Sequence, residues 1–165
     1  MTLEVITPEN PISSYEAERG KPMPSLNHSI VQSNLIVALA KYRSQYSFLP
    51  ELSLKLNGES FTPDICIYPK RKFNWQQDAR SLTEAPLTTV EILSPSQAID
   101  TFQIKFAAYF AAGVKSCWLV QPFVETIFIF TLDGKPDGKI AVFHEGTLTD
   151  PTNGITLDIG EIFAE

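Results

Sequence analysis

The segment Leu87-Thr-Thr-Val-Glu-Ile-Leu93 does most to limit the folds open to this chain. It is a short, almost continuous apolar run of the kind that fills the middle of a sheet. It ends abruptly at Ser94-Pro95-Ser96, where serine capping and a proline near the first turn predict the start of a helix. At about 100° per residue, Ile99, Phe102, Phe106, Tyr109 and Phe110 share one face of that helix, and Gly113 stops it. Apolar strands are predicted at Cys117-Trp-Leu-Val120 and Thr126-Ile-Phe-Ile-Phe130, then an Asp133-Gly134 turn and a strand over Lys139–Phe143. The stretch from Ile155 to Phe163 reads as a strand and one helical turn.

Upstream, Asn27 is placed to cap a helix running to about Tyr46, with Val31, Leu35, Ala38, Leu39 and Tyr42 on one face. The alternation from Glu51 to Asn57-Gly58 predicts a half-buried strand and a hairpin turn. Its returning strand would be Asp64-Ile-Cys-Ile-Tyr68. Residues 69–86 lack periodicity and read as a long loop or short helix, and residues 1–26, with four prolines, as an extended arm. One domain spanning 1–165 is expected, of α/β class, with a mixed central sheet flanked by helices.

A net charge of −6 leaves no basic field to gather nucleic acid or anionic lipid, so any DNA contact must be local. The first residues lack a cationic start and an apolar core, and no apolar run reaches a membrane span, so a soluble, cytoplasmic protein is expected. Cys66 and Cys117 each lie in an apolar run and read as reduced structural thiols.

Three titratable residues fall where backbone geometry aims them at one end of the sheet: Asp64, Glu91 and Lys105. Glu91 is a charge inside an apolar strand, and such a charge stays buried only when paired or bound to a metal. Two carboxylates converging from adjacent strands make a hard oxygen site suited to Mg²⁺. Lys105 lies at the edge of the helix's apolar stripe, where its stem can follow the sheet and its ammonium reach the rim, and Tyr109 sits one turn below it. Asp100, on the other side, suits the first helical turn or an N-cap paired with Gln103.

These residues carry a resemblance. Thr62-Pro63-Asp64-Ile65-Cys66-Ile67-Tyr68, Val90-Glu91-Ile92-Leu93-Ser94-Pro95-Ser96, Asp100, Lys105 with Tyr109, Gly113-Val114 and Trp118-Leu119-Val120 resemble the Uma-two family, whose inferred activity is that of restriction endonucleases. The upstream Gly20-Lys-Pro-Met-Pro-Ser25 and His28 match as well. The resemblance implies the PD-(D/E)xK nuclease fold and hydrolysis of DNA phosphodiesters with Mg²⁺, or Mn²⁺ in its place. It implies Asp64 and Glu91 as catalytic metal ligands, the backbone carbonyl of Ile92 as a further ligand, and Lys105 as a catalytic lysine displaced from position 93, where this chain has Leu. Many members have an acid just after the amino-terminal glycine; this chain has Lys21.

Several residues keep two readings open. Asp64 could be a strand-opening residue, Glu91 and Lys105 a structural pair, and Lys105 a surface lysine. His28 reads first as a capping or surface histidine, and Glu51 as a solvent-facing strand charge near the site; with Tyr109 they are accessory candidates. Lys70-Arg71-Lys72 lies roughly 20–25 Å from Asp64 along a strand at about 3.3 Å per residue, so it reads first as a solvated loop and otherwise could reach only flanking DNA. Phe123, Phe128, Phe130 and Phe143 read as sheet core or, where they point outward, as a dimer patch. A homodimer is expected, since a two-fold pair of sites would meet a duplex symmetrically. The rival expectations are a noncatalytic binding module on the nuclease fold and a metal hydrolase of small phosphorylated molecules.

Overall fold

The computed structural model describes residues 14–134 and 138–165. Its helices are α1 (Ser14–Arg19), α2 (Leu26–Leu39), α3 (Ile99–Ala111) and α4 (Ile159–Ile162). The strands are β1 (Tyr46–Pro50), β2 (Ser53–Leu56), β3 (Glu59–Phe61), β4 (Ile65–Pro69), β5 (Ser81–Leu82), β6 (Thr88–Ile92), β7 (Ser116–Gln121), β8 (Thr126–Thr131), β9 (Lys139–Phe143), β10 (Thr147–Thr149) and β11 (Thr156–Asp158).

The central sheet has the order β1-β4-β6-β7-β8-β9, in which β6 and β7 are parallel and every other neighbouring pair is antiparallel. Parallel neighbours need a crossover, and α3 supplies it. This is the expected mixed sheet with helices on its faces. Alternation along the strands divides the core. Val31, Leu35 and Leu39 of α2 pack with Ile65, Ile67, Val90, Ile92, Trp118 and Val120 on one face. Phe102, Phe106 and Tyr109 of α3 pack with Cys66, Tyr68, Cys117 and Leu119 on the other, joined by Leu54 and Leu56 of a small sheet β3-β2-β5.

Local chemistry moves several boundaries from their sequence-predicted places. Within the expected extended arm, Ser14–Arg19 is helical and Leu26 already belongs to α2, while residues 1–13 lie outside the described residues. Ser25, not Asn27, caps α2: its hydroxyl accepts from the His28 amide at 3.2 Å. The helix ends at Leu39, a single 3-10 turn covers Ala40–Tyr42, and Tyr46 opens β1. The hairpin turn does lie at Asn57-Gly58, both at positive φ, but the strand that returns from it is β3. Ile65–Pro69 instead pairs with β1 in the main sheet. Ser94 and Gln97 form a turn, with the Ser94 amide donating to Gln97 Oε1 at 3.0 Å, so α3 begins only at Ile99. Asp100 therefore sits inside the first turn without a capping box, and Ile99 is exposed.

Both cysteines are buried and unpaired. Phe128, Phe130 and Phe143 are half-buried against the core, whereas Phe123 is 97% exposed. Among the described residues no helix is long and apolar enough to cross a membrane.

Candidate active site

Strand register builds the site. The antiparallel pairing of Ile65 with Val90 puts Asp64 opposite Glu91 one step on, and the pairing of Pro50 with Ile65 puts Glu51 opposite Asp64. Three carboxylates thus form a row across the ends of β1, β4 and β6. Like charges directly opposite one another repel, and Asp64 and Glu91 are buried, so cations have to cover the row.

They come from three elements. Lys21, itself only 8% exposed, sets its Nζ 2.5 Å from Asp64 Oδ1 and 3.4 Å from Glu51 Oε2. Arg19, at the end of α1, reaches Glu51 Oε2 at 2.6 Å and lies 3.9 Å from Asp64 Oδ1. Lys105 of α3 holds its Nζ 3.6 Å from Glu91 Oε1 and 5.3 Å from the centre of the Phe102 ring. Its stem runs along the helix edge, as expected from the helical angle.

Further donors complete the shell. The Ile92 amide donates to Asp64 Oδ2 at 2.6 Å, and His28 Nε2 lies 3.0 Å from Asp64 Oδ1. Tyr109 donates its hydroxyl to Glu91 Oε1 at 2.7 Å. Gln32 of α2 ties the row together from outside, donating to Glu51 Oε1 at 3.1 Å and to the Asp64 carbonyl at 2.9 Å.

The two central carboxyls are tuned in opposite directions. Burial would raise Asp64, but the His28 hydrogen bond and the Lys21 charge outweigh it and hold the carboxyl down at about 2. Burial dominates at Glu91 and pushes it up, with Lys105 opposing and the Asp64 charge adding to the rise. Burial also raises the Tyr109 hydroxyl, reinforced by the adjacent Glu91 charge. Divergent pKa values in two neighbouring acids are a hallmark of acid–base sites.

The leading sequence candidates therefore meet: Asp64, Glu91, Lys105, Tyr109, Glu51 and His28 all border one cluster. His28 is not the capping or surface residue its position favoured but a buried partner of Asp64. Glu51 does not begin a strand; it turns between β1 and β2 at positive φ, with its carboxylate directed to Arg19 and Lys21. Arg19 and Gln32 were not legible as site residues. Lys21 showed only as a departure from the family pattern, and that pattern was the one signal that could have found it. The Lys70-Arg71-Lys72 cluster follows the far end of β4 from Asp64, where Arg71 pairs with Glu84.

The oxygen donors suit a hard divalent cation. Leu93 donates its amide to Val120 of β7, so the N–H and C=O of Ile92 face the opposite side of the strand, toward Asp64. Two carboxylates and a carbonyl are a typical protein share for Mg²⁺, which keeps several waters. Among the described residues, no group of three or more His, Cys, Asp or Glu is arranged to hold a metal ion.

Comparison with known proteins shows the family and the fold. The family model Uma2, described as "Putative restriction endonuclease", matches residues 5–159. The chain belongs to the Uma2 family. The crystal structure of a "putative nuclease belonging to DUF820" from Anabaena variabilis is 25% identical, with a TM-score of 0.69 over 86% of this chain and 83% of that one. No curated protein matches the sequence. Family and fold are thus those of restriction-endonuclease-like proteins, and the Uma2 match spans both the Asp64 and the Glu91 segments.

Proposed function

We propose that this protein is an Mg²⁺-dependent endonuclease that hydrolyses DNA phosphodiester bonds. The observation that carries the reading is the placement of Asp64 opposite Glu91 across adjacent strands, with Lys105 beside Glu91. The family supplies the substrate class.

Asp64, Glu91 and the Ile92 carbonyl would hold Mg²⁺, or Mn²⁺ in its place. Bound there, the ion would lower the pKa of a water and neutralise charge on the scissile phosphate. The chain's own residues supply the rest. His28 and the Ile92 amide fix the Asp64 carboxylate, while Tyr109 fixes Glu91. Lys105 presents an ammionium at the rim, 18% exposed, where it can orient the attacking water or meet developing phosphorane charge. A two-fold dimer would place two such sites on one duplex.

One observation favours a second reading. The ion pair of Lys21 with Asp64 neutralises the carboxylate without any metal, as a noncatalytic nuclease-fold binding module would. Supercoiled plasmid cleavage, with Mg²⁺ and Mn²⁺ titrated calorimetrically into the same samples, separates the two. Metal-dependent nicking by the wild type, lost in Asp64→Asn and Glu91→Gln, supports the nuclease. Metal binding without nicking points to a small phosphorylated substrate, and absence of both leaves the binding module.

A further inference from the structure

Lys21 holds a place that a loaded metal site would need. Both lone pairs of Asp64 Oδ1 already face donors, Lys21 Nζ and His28 Nε2 at 3.0 Å, so a divalent ion binding there must displace one of them and is repelled by the ammonium, while the other oxygen accepts the Ile92 amide. The same ammonium stands 3.4 Å from Glu51 Oε2, whose side chain is 35% exposed against 2% for Asp64. A second acceptor therefore lies next to the first, nearer solvent.

We propose that Lys21 is a built-in counter-ion that moves from Asp64 to Glu51 when a divalent cation enters, so that metal loading is a displacement reaction. This rests on the metal-binding reading of the site above and assigns Glu51 a role as the landing point for the displaced ammonium. Without a cation, Lys21 keeps the Asp64 charge compensated in a buried place. With one, the lysine charge remains paired, now at the half-exposed Glu51. Gln32 and Arg19 hold the Glu51 carboxylate in position for that exchange.

The test measures the lysine and the metal separately. In the wild type, acylation of Lys21 by an amine-reactive ester, read by peptide mass spectrometry, rises several-fold when saturating Mn²⁺ is added. Mn²⁺ affinity, from the electron paramagnetic resonance signal of the free ion, tightens at least tenfold in Lys21→Gln and weakens several-fold in Glu51→Gln. Charge alone gives these opposite signs, so the rise in Lys21 labelling on Mn²⁺ binding is the readout that a fixed ion pair does not produce. Mn²⁺ binding that is lost in Asp64→Asn but leaves Lys21 labelling and the Lys21→Gln affinity unchanged overturns the displacement while the metal site stands. If neither the wild type nor Lys21→Gln binds Mn²⁺, the metal reading falls and the displacement falls with it. Should Lys21→Gln fail to fold, the wild-type labelling decides alone.

Discussion

Asp64 stands opposite Glu91 across β4 and β6, one residue beyond the pair Ile65 and Val90, and the two carboxyls are driven apart in acidity by what covers them. Asp64 is held at about 2 against an ordinary 3.8, so its charged form favours the folded state. That contribution is complete above pH 4 and is lost as the pH falls toward 2. At about 1.4 kcal/mol per unit it amounts to roughly 2 kcal/mol. Chemical denaturation between pH 2 and 5 should show a steeper loss of stability on acidification in the wild type than in Asp64→Asn.

Glu91 has the opposite sign. Its pKa is raised from 4.5, so the folded chain holds the proton more tightly than the unfolded one, and stability declines as the pH rises above 4.5. In Glu91→Gln the decline should flatten. A wild-type slope persisting unchanged in that variant would remove Glu91 as its source.

Tyr109→Phe deletes the hydroxyl that donates to Glu91 Oε1. Loss of a hydrogen bond to a buried acceptor should cost about 1–3 kcal/mol. Because that bond lowers the Glu91 pKa, the acidic limb of the cleavage profile should also move to higher pH. A stability loss with an unmoved profile would make Tyr109 structural alone.

Lys105→Ala should reduce plasmid cleavage by roughly 10²–10⁴ if the ammonium does acid–base or charge-stabilising work. Mn²⁺ binding should be retained, since Lys105 is a donor and holds no metal. Wild-type rates in the variant would take Lys105 out of the mechanism.

Asp150 marks the opposite end of the sheet. Its buried carboxylate accepts from Ser116 Oγ at 2.5 Å, Trp118 Nε1 at 2.7 Å and both the amide and hydroxyl of Thr152 at 2.8 Å. Asp150→Ala strands these donors at the start of β7 and should destabilise the fold by about 3 kcal/mol or more. Calorimetric metal affinity should stay at the wild-type value at temperatures where the variant remains folded.

The strands of the central sheet from β6 onward, both long helices and the Asn57-Gly58 turn were legible because each rests on short-range chemistry: apolar runs, helical spacing and turn residues. So were Glu91, a charge standing where a strand should be apolar, and Lys105, whose helical angle alone puts it at the rim, whereas Asp64, at a strand opening, stood out through the family resemblance. What the sequence could not decide was pairing. β1 hides behind the end of α2, and only the tertiary structure takes Ile65–Pro69 away from the hairpin and lays it between β1 and β6. That choice creates the row Glu51, Asp64, Glu91, and a row of acids needs cations from wherever the chain can bring them. Lys21 and Arg19 arrive from a segment that reads as an extended arm, with Lys21 and Asp64 separated by 43 positions in sequence. No local pattern encodes such a meeting; it follows from burying carboxylates that must be neutralised.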